Sequence, residues 1–293
     1  MPASIETDSD APRVALLTPC YNDGATLLET VASAREVGAA EILVVDDGST
    51  DPGTLAVLEE VAAWGVEVVR QENQGPSAAR AAALNATAAP YVFPLDADDL
   101  LVAEGLAELV AALDRTPAAV LAWGDIEYFG ESRRLQRCPP SLDPWLVTHV
   151  NPLPYASLMR REALLAIGGW GHVSGFEDWD VWMGFAERGW DGVHVARAVL
   201  RYRVHGDRRW RGNAPRHDEI HGELIRRHPA LFAARSSNWR RSSAPLSWRL
   251  LLPLVAALPV PSRAKLRLRS LVTNPLELAR DAWRRRQGFG RAG

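Results

Sequence analysis

Three short apolar runs in the first hundred residues each end on a cluster of polar residues. The runs are 14–17, 42–45 and 91–95. The clusters are Thr18-Pro19-Cys20-Tyr21-Asn22-Asp23, Asp46-Asp47-Gly48-Ser49-Thr50-Asp51 and Asp96-Ala97-Asp98-Asp99. Unbroken apolar runs of this length, bounded by turn residues, read as strands buried on both faces. Segments of helical spacing separate them: 26–37 with Leu27, Leu28, Val31, Ala34 and Val37 on one side, then 55–63, the Ala-rich 77–86 behind the breaker Gly75-Pro76, and 106–113. Further strands are expected at 66–69 and 120–123. Strands alternating with helices at this pitch predict an α/β fold with a Rossmann-like, mostly parallel sheet and helices on both faces. Ligands of such sheets bind outside the carboxyl ends of the strands, so the three polar clusters mark the expected site.

Composition narrows the class. The 293 residues suit one large domain or a domain with an appendage. With 47% hydrophobic and 24% charged residues, the chain is neither disordered nor collagen-like. Two cysteines, Cys20 and Cys138, are too few for a disulfide framework or a four-cysteine zinc site. Residues 1–12 are acidic and polar, unlike a secretory signal, and no apolar run reaches the about 18 residues of a membrane span, so a cytoplasmic protein is expected. The charge is uneven. From Phe232 onward, 13 basic residues face only Glu277 and Asp281, giving +11 there and −14 for the remainder. A basic end on an acidic body predicts an anionic partner for that end. The expected division is therefore a domain at 12–230 and a basic, partly apolar helical extension at 231–293.

Each motif has a functional and a plain reading. Asp96 and Asp98, one residue apart at a strand end, can share a divalent cation with a diphosphate, because Mg²⁺ takes one or two protein carboxylates and leaves other positions to phosphate and water. The same tripeptide also reads as an Asx-rich turn. Asp46-Asp47-Gly48-Ser49 is a turn, or places a carboxylate to receive a base or ribose. Asn73-Gln74-Gly75-Pro76-Ser77-Ala78-Ala79-Arg80 opens a helix, with Arg80 one turn in, either reaching a phosphate or base or lying on the surface. Glu177 and Asp178 fall in the first turn of a helix at 176–188. Glu177 pairs with Ser174 as a capping box, and Asp178 is either favoured by the helix dipole or a general base on a rigid element. Phe176, Trp179, Trp182, Met183 and Ala186 share a face. Trp170, Trp179 and Trp182 could floor a sugar ring, although for Trp179 and Trp182 a core position is expected. His205 ends a short strand at 202–205 and completes a metal shell only if the fold brings it to Asp98. The proline-rich stretch 133–155 reads as a long functional loop.

Taken in chain order, these pieces resemble the family 2 glycosyltransferases of the GT-A fold. The carriers are Thr18-Pro19-Cys20-Tyr21-Asn22-Asp23, Val45-Asp46-Asp47-Gly48-Ser49-Thr50, the stretch Asn73 to Arg80, Leu95-Asp96-Ala97-Asp98-Asp99, Glu177-Asp178-Trp179-Asp180 and Tyr202-Arg203-Val204-His205. The resemblance covers residues 12–210 and leaves out the tail. It implies that Thr18 and Tyr21, with Pro19 between them, line a nucleotide pocket, that Asp47 bonds the base, and that Arg80 lies beside the nucleotide. It implies Asp96 near the ribose or the metal's water shell, Asp98 binding Mg²⁺ or Mn²⁺, His205 near diphosphate and metal, and Asp178 as catalytic base. The implied reaction is an inverting transfer from a nucleotide-sugar donor, UDP-sugar favoured, to a saccharide or lipid-linked acceptor in cell-surface polysaccharide or glycolipid synthesis. Between Trp123 and Glu177 nothing matches beyond a Gly168-Gly169-Trp170 turn, which leaves the acceptor open. A sugar nucleotidyltransferase would carry a Gly-rich loop with a basic residue where this chain has Thr18-Pro19-Cys20-Tyr21. An inactive nucleotide-binding scaffold fits poorly with intact Asp96, Asp98 and Asp178.

In the tail, 250–260 is apolar but too short and proline-broken to span a bilayer, and Arg263, Lys265, Arg267 and Arg269 follow. Asn274-Pro275 reads as the start of a further helix with Leu276, Ala279 and Trp283 on one side, ending at Arg284-Arg285-Arg286. This pattern predicts peripheral contact with the inner face of a membrane, or else packing on the body or on a second subunit. No nucleic-acid-reading motif is present, and no nucleic-acid partner is expected.

Overall fold

The computed structural model describes residues 13–36, 40–171, 173, 175–205 and 214–274. The expectations for 1–12, Val37 and Ser174, and for the helix with Leu276, Ala279, Trp283 and Arg284-Arg285-Arg286 that Pro275 was to open, lie outside the described residues. The chain forms two compact units. One comprises Met1–Leu142 and Leu153–Gly206, the other Asp143–Pro152 and Asp207–Gly293. The expected boundary at 230/231 falls inside the second.

The first unit is built on a mixed sheet. Its strands are β1 (Val14–Cys20), β2 (Ala40–Asp46), β3 (Glu67–Arg70), β4 (Tyr91–Pro94), β5 (Leu100–Leu101), β6 (Leu121–Gly130), β7 (Arg134–Gln136), β8 (Leu158–Arg160) and β9 (Gly192–Val204). Their order across the sheet is β3-β2-β1-β4-β8-β6-β9-β5, with β7 paired to β6. β3, β2, β1 and β4 are mutually parallel. Val14, Ala15, Leu16 and Leu17 of β1 and Leu43, Val44 and Val45 of β2 are all buried, which is why these strands read as unbroken apolar runs rather than alternating ones. Parallel register aligns their ends: Cys20 lies opposite Asp46, and Leu17 opposite Pro94. The three polar clusters therefore emerge at one edge of the sheet.

Helices α1 (Gly24–Arg35), α2 (Pro52–Ala63), α3 (Pro76–Ala86) and α4 (Ala103–Arg115) follow successive strands. α2 starts where local chemistry dictates: Pro52 is its first residue, and the Asp51 side chain accepts from the Thr54 N–H at 2.7 Å. α1 crosses α2 so closely that a Cβ on Gly24 would sit 2.6 Å from the Thr54 Cα, so only glycine fits.

Beyond α4 the sheet departs from the expected simple alternation. The strand expected at 120–123 is the ten-residue β6, and the short strand at 202–205 is the end of β9, 13 residues long, which runs parallel to β6. β8 lies antiparallel between β4 and β6, and β5 antiparallel on β9. Short helix α5 (Arg161–Ala166) and helix α6 (Glu177–Glu187) complete this unit. α6 is buried along most of its length: Trp179, Val181, Trp182, Met183, Phe185 and Ala186 are all core residues, and so is Trp170.

The second unit is helical among its described residues, with helices His217–Arg227, Pro229–Ala233, Arg235–Arg241, Leu246–Ala257 and Ser262–Thr273. Trp145, Leu146, Ala244 and Leu252 form its core, against which Val150, Trp239, Trp248 and Val272 pack. Asp143 ties the 143–152 segment into this unit, accepting from the Trp145 and Leu146 N–H groups at 2.8 and 2.9 Å and from the Ser242 hydroxyl at 2.6 Å. Pro253 sits inside a helix instead of breaking it. A helical proline frees the carbonyl four residues back. Here that carbonyl, Arg249 O, accepts instead from the Trp239 indole N–H at 3.2 Å.

Candidate active site

The loop after β4 is held from three sides. Thr26 and Thr30 of α1 both donate to the Ala97 carbonyl at 2.9 Å. Behind the loop, Asp99 is fully buried. It accepts from the Tyr155 hydroxyl at 2.5 Å and from the Arg203 N–H at 2.7 Å. The Tyr155 oxygen in turn accepts from the Asp96 N–H at 3.2 Å, and Arg203 Nε donates to the Asp98 carbonyl at 2.8 Å. Burial, with Asp98 and Asp96 close by, pushes the Asp99 carboxyl well above the usual carboxylate range, and burial likewise raises the Tyr155 hydroxyl.

This anchoring leaves Asp96 and Asp98 as the half-buried carboxylates of the loop. Asp98 Oδ2 lies 2.8 Å from Nε2 of His205, the residue just past β9. The strand brings together two residues 107 positions apart. Burial raises the Asp98 carboxyl, and the neighbouring carboxylates of Asp96 and Asp23 raise it further, against the opposing pull of His205. Such a gathering of negative charge is the environment a cation relieves. Among the described residues no group of three or more His, Cys, Asp or Glu side chains is arranged as a metal cage. The half-buried Asp98 carboxylate is the kind of oxygen ligand that suits a hard cation drawing most of its other ligands from phosphate and water.

Arg80, in α3, is buried. It donates through one terminal nitrogen to Asp96 Oδ1 at 2.5 Å and through the other to Glu177 Oε1 at 2.8 Å, and its guanidinium lies 5.8 Å from the Tyr155 ring centre. Burial alone would favour the neutral form, but the two carboxylates outweigh it and hold the guanidinium charged. Arg80 Nε and Glu177 Oε2 remain buried without hydrogen-bond partners. Expected beside a nucleotide or on the surface, Arg80 is an internal clamp between the β4 loop and the first residue of α6. Asp178 follows Glu177, half-buried, and its Oδ1 accepts from the Trp179 N–H at 2.8 Å. The clamp therefore fixes the helix end that carries Asp178 to the loop that carries Asp96 and Asp98.

The ends of β1 and β2 are tied to each other. Asn22, at φ 53°, accepts through Oδ1 from the Thr50 and Asp51 N–H groups at 2.8 and 2.9 Å. Thr18 is buried, Pro19 half-buried and Tyr21 exposed. Asp47 is buried and accepts from the Gln74 and Gly75 N–H groups at 2.9 and 2.7 Å and from the Gln71 side chain at 2.7 Å. It thus shapes the 71–75 segment that opens α3. Gly48, at φ 77°, lets that segment approach: a Cβ there would sit 2.8 Å from the Asn73 N. Asp47 is bonded to this segment rather than to the 96–99 loop.

Asp96, Asp98, Asp178 and His205 each stand in a local sequence motif, whereas nothing in the sequence marks Tyr155, the part Asp99 plays or the Arg80–Glu177 pair. Tyr155 sits in a proline-rich stretch with no local signature. Asp99 stood in one of the three polar clusters yet carried no motif that set it apart.

Over 150 residues the chain is 36% identical to the succinoglycan biosynthesis protein ExoU of Rhizobium meliloti (strain 1021), a match covering 46% of this chain and 42% of ExoU, less than half of that relative's length. S. aureus TarS 1–349 in complex with UDP-GlcNAc superposes with a TM-score of 0.59 at 16% identity, over 91% of this chain and 92% of that one. The mannosyltransferase PcManGT from Pyrobaculum calidifontis, in complex with GDP-Man and Mn²⁺, gives 0.57 at 21% identity, over 96% and 85%. At these identities the structures establish the fold, which is of the GT-A type. Residues 15–178, from the first strand to the clamped end of α6, match glycosyl transferase family 2, and the chain belongs to that family.

Proposed function

We propose that the protein is an inverting, metal-dependent glycosyltransferase that moves a sugar from a nucleoside-diphosphate donor, a UDP-sugar by preference, to an acceptor hydroxyl. The observation that carries the reading is the Arg80 clamp, which joins Asp96 to the helix end bearing Asp178. Two structures of the same fold hold UDP-GlcNAc and GDP-Man, which supports a nucleotide-sugar donor. A relative named for succinoglycan biosynthesis supports a role in polysaccharide synthesis; a saccharide or lipid-linked acceptor and a cytoplasmic location belong to the same proposal.

In this reading Thr18, Pro19, Tyr21 and Asp47 border the nucleotide, Asp47 chiefly by shaping the 71–75 segment around it. Asp98 and His205 hold Mg²⁺ or Mn²⁺, with Asp96 alongside. When bound, the cation offsets the charge that develops on the leaving diphosphate, and such charge stabilisation commonly lowers the barrier more than any other single effect. Asp178 takes the proton of the acceptor hydroxyl as that oxygen bonds to the anomeric carbon. The bond from that carbon to the diphosphate oxygen breaks on the opposite face, its electron pair leaves with the diphosphate, and the configuration inverts. Arg80 sets the distance between the base and the leaving group through Glu177 and Asp96, without touching either reactant.

The test is a panel of sugar nucleotides, scored by release of nucleoside diphosphate with and without Mg²⁺ or Mn²⁺. Asp178→Asn should bind the donor as the parent does and lose about 10²- to 10⁴-fold in turnover, the usual contribution of a general base. Near-normal turnover in that variant would remove Asp178 from the role. No release from any donor would remove the reading itself.

A further inference from the structure

The helix Leu246–Ala257 is apolar on two opposite sides. Inward, Leu252 and Val255 are buried, and Trp248 packs against the core of the second unit. Outward, Leu246, Leu250 and Leu254 recur at every fourth position and are 60, 53 and 63% exposed, flanked by exposed Leu251 and Leu258. On the next helix, Ser262–Thr273, the same spacing sets Arg263, Arg267 and Leu271 at the surface. Of the ten large apolar side chains exposed among the described residues, six lie between 246 and 271. A helix apolar all round is normally covered on every side, and a concentrated exposed apolar patch marks an interaction surface.

Charge decides what covers it. From Phe232 to Asn274 the chain has eight basic residues and no acidic one, and Arg240, Arg241, Arg263 and Arg267 are exposed. A second copy would oppose this surface with its own positive charge. A sheet of anionic headgroups over hydrocarbon satisfies both the arginines and the leucines. Twelve residues of helix span about 18 Å, well short of a hydrocarbon core of about 30 Å, so the helix lies in the interface and does not cross it.

We propose that the Leu246, Leu250 and Leu254 face docks on an anionic lipid surface, with the leucines in the acyl boundary and Arg263 and Arg267 at headgroup level. The proposal concerns the second unit alone and stands whether or not the first transfers a sugar.

The test is sedimentation of the full chain with vesicles of phosphatidylcholine, alone or with about one-third phosphatidylglycerol. The parent should pellet with the anionic vesicles, and added salt should weaken this. Leu250→Gln with Leu254→Gln should lower partitioning about tenfold or more, because two exposed apolar anchors are lost. Arg263→Glu with Arg267→Glu should do so through charge, and circular dichroism shows that each variant is folded. A parent that stays in the supernatant with both vesicle types overturns the proposal. So does a folded leucine variant that pellets as the parent does, or a parent homodimer that the leucine substitutions dissolve.

Discussion

Arg80 and Glu177 lie 97 positions apart in the sequence and 2.8 Å apart in space, both buried, with Asp96 on the other nitrogen of the same guanidinium. This ion triplet joins a helix start from the first third of the chain to one from its second half.

Removing the cation leaves two carboxylates facing each other, Glu177 the more deeply buried. Arg80→Met should therefore destabilise the protein by about 3–5 kcal/mol, the usual loss when one partner of a buried pair is deleted. Adding Glu177→Gln should restore a large part of that loss. Denaturant unfolding of the two single variants and the double one checks this. Losses that simply add would show that the two side chains do not depend on each other.

Tyr155→Phe keeps the ring beside Arg80 and deletes only the hydroxyl. Asp99 then loses a donor inside the protein, and the Asp96 N–H loses its acceptor. The expected cost is about 1–3 kcal/mol, with a lower melting temperature and a looser Asp96–Asp98 loop. An unchanged melting temperature would mean that the hydroxyl is replaceable by water.

Asp98→Asn should shift the Mg²⁺ or Mn²⁺ dependence of nucleoside diphosphate release to higher metal and lower turnover by about 10²-fold or more. His205→Ala should do the same more weakly, since His205 is exposed and one ligand among several. A metal titration of Asp98→Asn that overlays the parent's would exclude Asp98 from the metal shell.

Acid should unfold the second unit. Burial and the nearby arginines push His149 down to about 3 and His217 to about 4, and burial takes His221 to about 4, against an ordinary 6.5. Arg235 lies 2.6 Å from His149 Nε2, and Arg269 lies 3.0 Å from His217 Nε2, contacts that need an unprotonated ring nitrogen. The depressed values mean that the unfolded chain binds these protons first. Stability is thus complete above pH 6.5 and falls as pH drops through 6.5 toward 4, His149 extending the loss toward 3. Denaturant titrations followed by tryptophan emission between pH 7 and 4 check the slope. A flat profile would place the three rings in water.

How much could be read beforehand follows from where the information sits. β1, β2 and β4 are legible because each is a buried parallel strand with its own apolar run and its own polar stop, and parallel register then delivers those stops to one edge. β9 is not: only its last residues carry a pattern, and its length comes from pairing along β6, a partner some 70 positions away. Pro253 stays inside its helix because the carbonyl it frees accepts from the indole of Trp239, which no pattern around the proline announces. At the site, Asp96, Asp98, Asp178 and His205 stood out by local motif. Arg80 stood out by position but not by purpose, because its two carboxylates arrive from elsewhere in the chain.

Trp145 and Leu146 are buried with Ala244 and Leu252, yet a large part of the first unit, β8 to β9, lies between them in sequence. The C-terminal portion is therefore not a module hung on the end of the chain. Excising everything after 206, or grafting it onto another protein, would separate an indole from the pocket that receives it. A transplantable version must carry the 143–152 stretch as well, so inheritance of the two units is interlocked by a ten-residue splice.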